Sequence, residues 1–376
     1  MRKKNRRTAK DPIETGRTLP NRVSSYSPSH RPPAPPEAEV EPKRRRRGTK
    51  FVALFLALII ASAIFIATWD ARNITNASQK LFGGGSLWTL LKGGGLKAAG
   101  NGRVNVLIAG YSADDPGHAG AQLTDSIILL SMNPSAKTGY MLSIPRDLYV
   151  AIPGFGHGKI NEAYEDGGMD LLESVVSQDF GVQIGYWGLI NYAAVRTSVN
   201  ALGGITVNIN SPDGRLYDPS RDYTTGGPLV DLTNGQHELN GEQALDLTRA
   251  RGDPTIYGAP VGFEQSDFQR TADQRLVFTA IKDKLNWKLV LNPRKNSQIL
   301  NAAADNIKTN VPAAAARPLF GLFNSIPSSK LQSLSLRSLN GQNYLASTFY
   351  EGDTLTPAAG LDDFSQIQAA LNSLSQ

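Results

Sequence analysis

The sequence predicts an α/β domain whose central sheet is largely covered by helices, set behind a single N-terminal transmembrane helix. Three observations carry this. From Arg103 onward, strand-length apolar runs alternate with helix-length amphipathic stretches, the order that builds a sheet with helices on its faces. Phe51 to Trp69 is a nineteen-residue run without a charge, and a helix of that length reaches roughly 28 Å, about the hydrocarbon thickness of a bilayer. The block KRRRRGTK, Lys43 to Lys50, stands directly before it.

Residues 1–50 are rich in Pro, Arg and Ser and read as a disordered basic arm. The cation excess before residues 51–69 keeps the arm cytoplasmic and places the chain after Asp70 outside, with Trp69 as an interfacial anchor. A cleaved signal peptide fits less well, because the apolar run starts late and is long. Residues 70–102 hold two glycine triplets, Gly83–Gly85 and Gly93–Gly95. They lack the flanking strand and the Lys-Ser/Thr of a P-loop, so they read as a flexible extracytoplasmic stalk.

The body, 103–376, divides by pattern into a core, 103–287, and a C-terminal portion, 288–376. Val104–Ala109, Ile127–Met132 and Gly139–Ile144 are strand-like, with Asn133-Pro134 turning between the last two. Gly168–Phe180 has helical spacing and Ile184–Ile190 is again a strand. Asn191 caps a helix that Gly203-Gly204 stops, and Ile205–Ile209 follows as a strand. Leu239–Arg249 and Ser266 to about Trp287 read as helices. So do Ser297–Ile307, Pro312–Phe323 and a last segment from Asp362, with a strand at Leu331–Leu336.

Fifteen Lys or Arg against five Asp or Glu give residues 1–50 a net +10, so the rest of the chain carries −4 of the overall +6. The basicity belongs to the arm, where it serves topology and attraction to anionic lipid; no nucleic-acid partner is expected. There is no cysteine, which excludes thiol nucleophiles, zinc–thiolate sites and iron–sulfur clusters. Four histidines without an HExxH pair make a histidine metal site unexpected, and His157, in GFGHGK, reads as exposed and idle.

Charge concentrates in four places. Asp114 and Asp115 follow the first core strand and Asp125 precedes the second; carboxylates at strand ends suit a hard cation such as Mg²⁺, which in turn favours phosphates. Arg146 and Asp147 follow the third strand in SIPRD. Arg249 and Arg251 stand two apart in LTRARGD. Arg270 and Gln274 lie one helical turn apart, with Asp267 ahead of them. Arginine's planar fork suits a diphosphate. Singly, each arginine is as readily a structural partner of Asp147, Asp246, Asp253 or Asp267; together they define a site only if the fold gathers them.

In order and spacing, NVLIAG, TDSIILLSMNP, LSIPRDLYVAIPGFG, KINEAY, ALGGITVNI, LNGEQALDLTRAR and DFQRTADQR resemble the LytR–CpsA–Psr family, over roughly Arg103 to the C-terminus. The resemblance implies a mixed central sheet with a lipid groove between sheet and helices. It implies transfer of a phosphate-linked glycopolymer from a polyprenyl-pyrophosphate carrier to a hydroxyl of peptidoglycan, as cell-wall assembly requires. By motif, Arg146, Arg249, Arg251, Arg270 and Gln274 would grip the pyrophosphate, and Asp125, Arg146, Arg251 and Arg270 would be catalytic. Asp125 and Asp114 would hold Mg²⁺ (or Mn²⁺), with Asp115 the alternative to Asp114. Leu123 departs from the pattern, since family members commonly carry arginine there, and Lys159 reads as structural. Loss of Arg251 or Arg270 is expected to abolish transfer with the thermal midpoint nearly unchanged. The competing readings are a non-catalytic binder of polyprenyl-linked intermediates, a pyrophosphatase on the same lipids, and a regulator acting through the basic arm.

Overall fold

The computed structural model of the chain describes residues 79–83, 93–112, 120, 122–221, 226–252, 266–284, 304–327 and 330–374. The expectations placed on the arm, on the span 51–69, on Asp114 and Asp115, and on the end of the long helix near Trp287 fall outside these residues. Among the described residues no helix is long and apolar enough to cross a membrane.

β1 (Val104–Tyr111), β2 (Thr124–Asn133) and β3 (Thr138–Ile144) form an antiparallel meander. β4 (Tyr149–Ile152) and β5 (Gly156–Lys159) make a hairpin, and a 3-10 turn, Ile160–Glu162, leads into α1 (Ala163–Phe180). Then follow β6 (Tyr186–Ile190), α2 (Tyr192–Ala201), β7 (Ile205–Ile209), β8 (Arg215–Arg221), β9 (Pro228–Thr233), β10 (Gly235–Leu239) and α3 (Gly241–Arg249). The remaining elements are α4 (Ser266–Lys284), β11 (Ile307–Thr309), α5 (Ala313–Ser325), β12 (Leu331–Ser335), β13 (Leu345–Phe349), β14 (Asp353–Pro357) and α6 (Ser365–Ser373).

Six strands build the central sheet in the order β11-β6-β1-β2-β3-β12. It is mixed: β1 pairs with β6, and β3 with β12, in parallel, while the other pairs are antiparallel. Alternation along β1 explains the layers. Val104, Val106 and Ile108 face a core completed by α2, α3, α4 and α5. Leu107, Ala109 and Tyr111 face the opposite core, completed by α1 and α6. A central strand covered on both faces reads as a near-continuous apolar run, broken in β1 by Asn105, whose side chain donates to the Gln183 carbonyl at 2.8 Å. Burying each such Val, Leu or Ile contributes roughly 1.5–3 kcal/mol.

Several boundaries differ from the sequence reading. Leu239 ends β10, where it pairs with Ile205, instead of opening a helix; Asn240 is the cap that starts α3. Ile307 pairs with Ile190 at the sheet edge instead of ending a helix. The hairpins β4–β5, β8–β9 and β13–β14 went unforeseen, because their strands are short and partly polar. β11 and β12, from the C-terminal portion, complete the central sheet that the core begins. Within the connection, the described residues 79–83 and 93–102 pack on the body: Leu81 is 2% exposed, the Gly94 N–H donates to the Ala314 carbonyl at 2.7 Å, and the Lys97 N–H donates to the Tyr186 hydroxyl at 2.8 Å. A Cβ on Gly94 would lie 3.1 Å from the Ala314 Cβ, so here glycine serves close packing.

Candidate functional site

Strand directions decide where the site forms. β1 and β6 run parallel, and β3 runs with them because two antiparallel pairings separate it from β1. The carboxyl ends of all three and the amino end of β2 therefore share one edge, the kind of place where α/β sheets collect ligands. A cavity of about 330 Å³ opens there. Its polar wall carries Asp125, Arg146, Arg249, Arg251, Arg270 and Gln274, with Tyr192 and Asn191 beside them. Its apolar wall is built by Ile108, Ile128, Ile190, Val195, Leu123 and Leu229.

Asp125 is the hub. Its carboxylate Oδ1 meets Arg146 Nη1 in a short ion pair and lies 3.9 Å from Arg251 Nη2. Its backbone carbonyl accepts from Arg270 Nη2 at 3.1 Å. Arg249 Nη1 stands 3.9 Å from Asp246 Oδ1, with its guanidinium 5.3 Å from the Tyr192 ring centroid. Gln274 accepts from Ser126 Oγ at 3.0 Å and donates to the Thr248 carbonyl at 3.2 Å. Arg270 and Gln274 are 4% and 9% exposed, so α4 presents both inward one turn apart.

Each motif has a local physical reason. In LNGEQAL, the Asn240 side chain accepts from the Gln243 N–H at 3.0 Å, and the Gln243 side chain accepts from the Asn240 N–H at 3.0 Å, a reciprocal cap. A Cβ on Gly241 would fall 2.1 Å from the Arg196 carbonyl, so glycine alone lets α3 start against α2. Ala250 then leaves the helix with ψ of 136°, and the cavity receives Arg249 and Arg251 from either side of that break. In KIN, the Asn161 N–H donates to the Arg146 carbonyl at 3.3 Å, and its carbonyl accepts from Thr124 Oγ1 at 3.3 Å. The turn thus ties together the segments carrying Asp125 and Arg146. Lys159 does not line the cavity; its ammonium lies 3.1 Å from Asp147, which also stands 3.5 Å from Arg146 Nε.

Two residues escaped the sequence reading. Asp218, on β8, accepts at Oδ2 from the Arg251 N–H at 2.8 Å and from the Gly252 N–H at 2.9 Å. Burial pushes this carboxyl up, but hydrogen bonds from Ser220, Arg251 and Gly252 outweigh it and hold the pKa below the ordinary value. Tyr192 faces the charged wall. Burial, then the nearby Asp125, raises its hydroxyl pKa against the pull of Arg249 and Arg270. It follows a strand end at the ligand edge, the same signal that singled out Asp125. Asp218 left no such trace, because its role depends on a hairpin 33 residues distant.

A family model described as the LytR_cpsA_psr family matches residues 78–360. The chain is 36% identical over 212 residues to the polyisoprenyl-teichoic acid–peptidoglycan teichoic acid transferase TagU of Enterococcus faecalis, covering 55% of this chain and 61% of that one. It is 33% identical over 221 residues to the corresponding transferase TagT of Bacillus subtilis, covering 59% and 62%. The chain thus spans about three fifths of the length of the curated relatives it matches. A solved structure of TagT bound to LI-WTA superposes with a TM-score of 0.54 at 26% identity, over 74% of this chain and 95% of that one. Another, with bound octaprenyl pyrophosphate lipid, gives 0.51 at 25%, over 74% and 93%.

Proposed function

The chain belongs to the LytR–CpsA–Psr family, and from that premise we propose that it transfers a phosphate-linked glycopolymer from a polyprenyl-pyrophosphate carrier to a hydroxyl of peptidoglycan, on the outer side of a membrane that residues 51–69 span. The observation that carries the reading is one cavity lined by both four arginines and six branched aliphatic side chains. That pairing fits a diphosphate on a hydrocarbon chain. Each charge-assisted hydrogen bond from a guanidinium contributes roughly 1.5–3 kcal/mol net, and each buried lipid methylene about 0.8 kcal/mol. The relatives' names and the lipid bound in a TagT structure support it.

Arg146, Arg251 and Arg270 would hold the two phosphates and draw charge from the leaving one as the acceptor hydroxyl attacks in line. The new P–O bond forms to the acceptor oxygen, the bond to the bridging oxygen breaks, polyprenyl phosphate departs with the electron pair, and the hydroxyl's proton passes to the departing phosphate. Gln274 and Ser126 would orient an equatorial oxygen. A divalent ion fits the donor set: Asp125 is the one carboxylate among the described lining residues, and Mg²⁺ or Mn²⁺ is commonly bound by one or two carboxylates plus substrate phosphates. Asp125 would hold the ion, with Asp114 as the second ligand. When bound, the ion supplies further neutralisation of phosphate charge.

The test incubates the full chain in detergent with Mg²⁺, a polyprenyl-pyrophosphate glycan and peptidoglycan strands. Glycan joined to the strand is the expected product. Free glycan phosphate would replace the reading with hydrolysis, and retained lipid without turnover would replace it with carrier binding.

A further inference from the structure

Four large apolar side chains stand exposed among the described residues: Phe155 at 58%, Phe349 at 78%, Tyr350 at 51% and Leu361 at 40%. They come from distant parts of the sequence, yet each belongs to, or stands within two residues of, one row formed by Tyr350, Tyr149, His157 and Asp362. Phe155 is at the tip of the β4–β5 hairpin, and Phe349 and Tyr350 are at the tip of β13–β14. The Tyr350 ring stacks on Tyr149 at 4.8 Å and 7°, and Tyr149 stacks on His157 at 5.8 Å and 22°. His157 Nε2 lies 2.8 Å from Asp362 Oδ2, next to Leu361. Exposed apolar residues are ordinarily scattered singly; a contiguous group marks an interaction surface.

The charge around this surface selects the partner. Glu351 and Glu162 are both close enough to act on the Tyr149 hydroxyl, Asp353 stands opposite Phe349, and Asp362 meets His157. Lys159, the cation of β5, is committed to Asp147 at 3.1 Å. A phosphate-rich polymer or an anionic membrane would be repelled here. A neutral sugar strand is complementary: its C–H faces suit the electron-rich ring faces, and its hydroxyls donate to carboxylates.

The surface also adjoins the cavity. The Leu355 N–H of β14 donates to the Asp147 carbonyl at 2.9 Å, and the Asp147 carboxylate lies 3.5 Å from Arg146 Nε. Tyr149 is three residues beyond Arg146, at most about 11 Å of chain. Resting on the transfer reading above, we propose that this aromatic surface is the acceptor subsite, where neutral sugar rings of the peptidoglycan strand dock so that a hydroxyl reaches the cavity.

The experiment titrates the full chain calorimetrically with soluble, uncrosslinked peptidoglycan strands and no donor. Phe155→Ala/Phe349→Ala removes two exposed rings with the stacked row intact; Tyr350→Ala is the stronger variant. Affinity for strands is expected to fall about tenfold or more, as for truncated aromatic anchors. In the transfer assay the acceptor KM is expected to rise equally, with kcat and donor KM unchanged. The subsite is overturned if the wild-type chain binds no strand, if the double variant binds as the wild type does, or if donor KM or binding to phosphatidylglycerol vesicles changes instead. Absence of transfer by the wild type would strike the proposed function, while the calorimetric comparison still decides the subsite.

Discussion

At Asp125 two guanidinium groups converge on one carboxylate oxygen while a third reaches the backbone carbonyl of the same residue. The arginines differ in burial, and that separates their substitutions. Arg251 has a side chain 37% exposed; Arg251→Ala is expected to abolish transfer and shift the thermal midpoint by under about 2 °C, since exposed pairs contribute little. Arg270 is 4% exposed. Arg270→Ala removes a buried charge-assisted bond of about 1.5–3 kcal/mol and is expected to lower the midpoint by several degrees as well as abolishing transfer. This revises the sequence-based expectation of an unchanged midpoint for both. Leu123 lines the same cavity, at the position where the family resemblance leads to the expectation of arginine. Leu123→Arg is expected to tighten donor binding about tenfold, the equivalent of one further charge-assisted bond, measured as donor Kd at fixed salt.

Among the elements, the packing of α6 on α1 carries a pH signature. Asp179, near the end of α1, is 7% exposed, and the Gln368 side chain on α6 donates to its backbone carbonyl at 2.9 Å. Burial, then the neighbouring Asp362, pushes the Asp179 carboxyl from 3.8 up to about 7. Between these values the folded chain holds a proton that the unfolded chain has lost. Stability therefore falls as pH rises through that window, by a few kcal/mol. Asp179→Asn, which carries no charge at any pH, is expected to raise the thermal midpoint at pH 8 and leave it nearly unchanged at pH 4; equal effects at both would place the penalty elsewhere. The elements also show what was legible. Long buried strands such as β1 and β2 stood out because each holds an unbroken apolar run, Val106–Ala109 and Ile127–Leu130. The short hairpins did not, because their stability comes from partners far along the chain, as the parallel Leu148–Leu355 bridge shows.

For the whole molecule, the charge division between residues 1–50 and the remainder is the physical basis of the proposed topology. Protease added to intact spheroplasts is expected to digest the chain after Trp69 and spare the basic arm; full protection of the body would reject outward placement. By itself, the sequence determined the α/β class, the apolar run 51–69 and the identity of the charged motifs, because side-chain chemistry and local spacing are written within a few residues. Only the tertiary structure decided that Asp125, Arg146, Arg251, Arg270 and Gln274 share one cavity, that Asp218 holds the Arg251 backbone, and that Tyr350 of one hairpin stacks on Tyr149 of another. Those meetings follow from strand order and direction, which arise from contacts between residues as far apart as the 145 positions separating Asp125 and Arg270, and no local pattern encodes them.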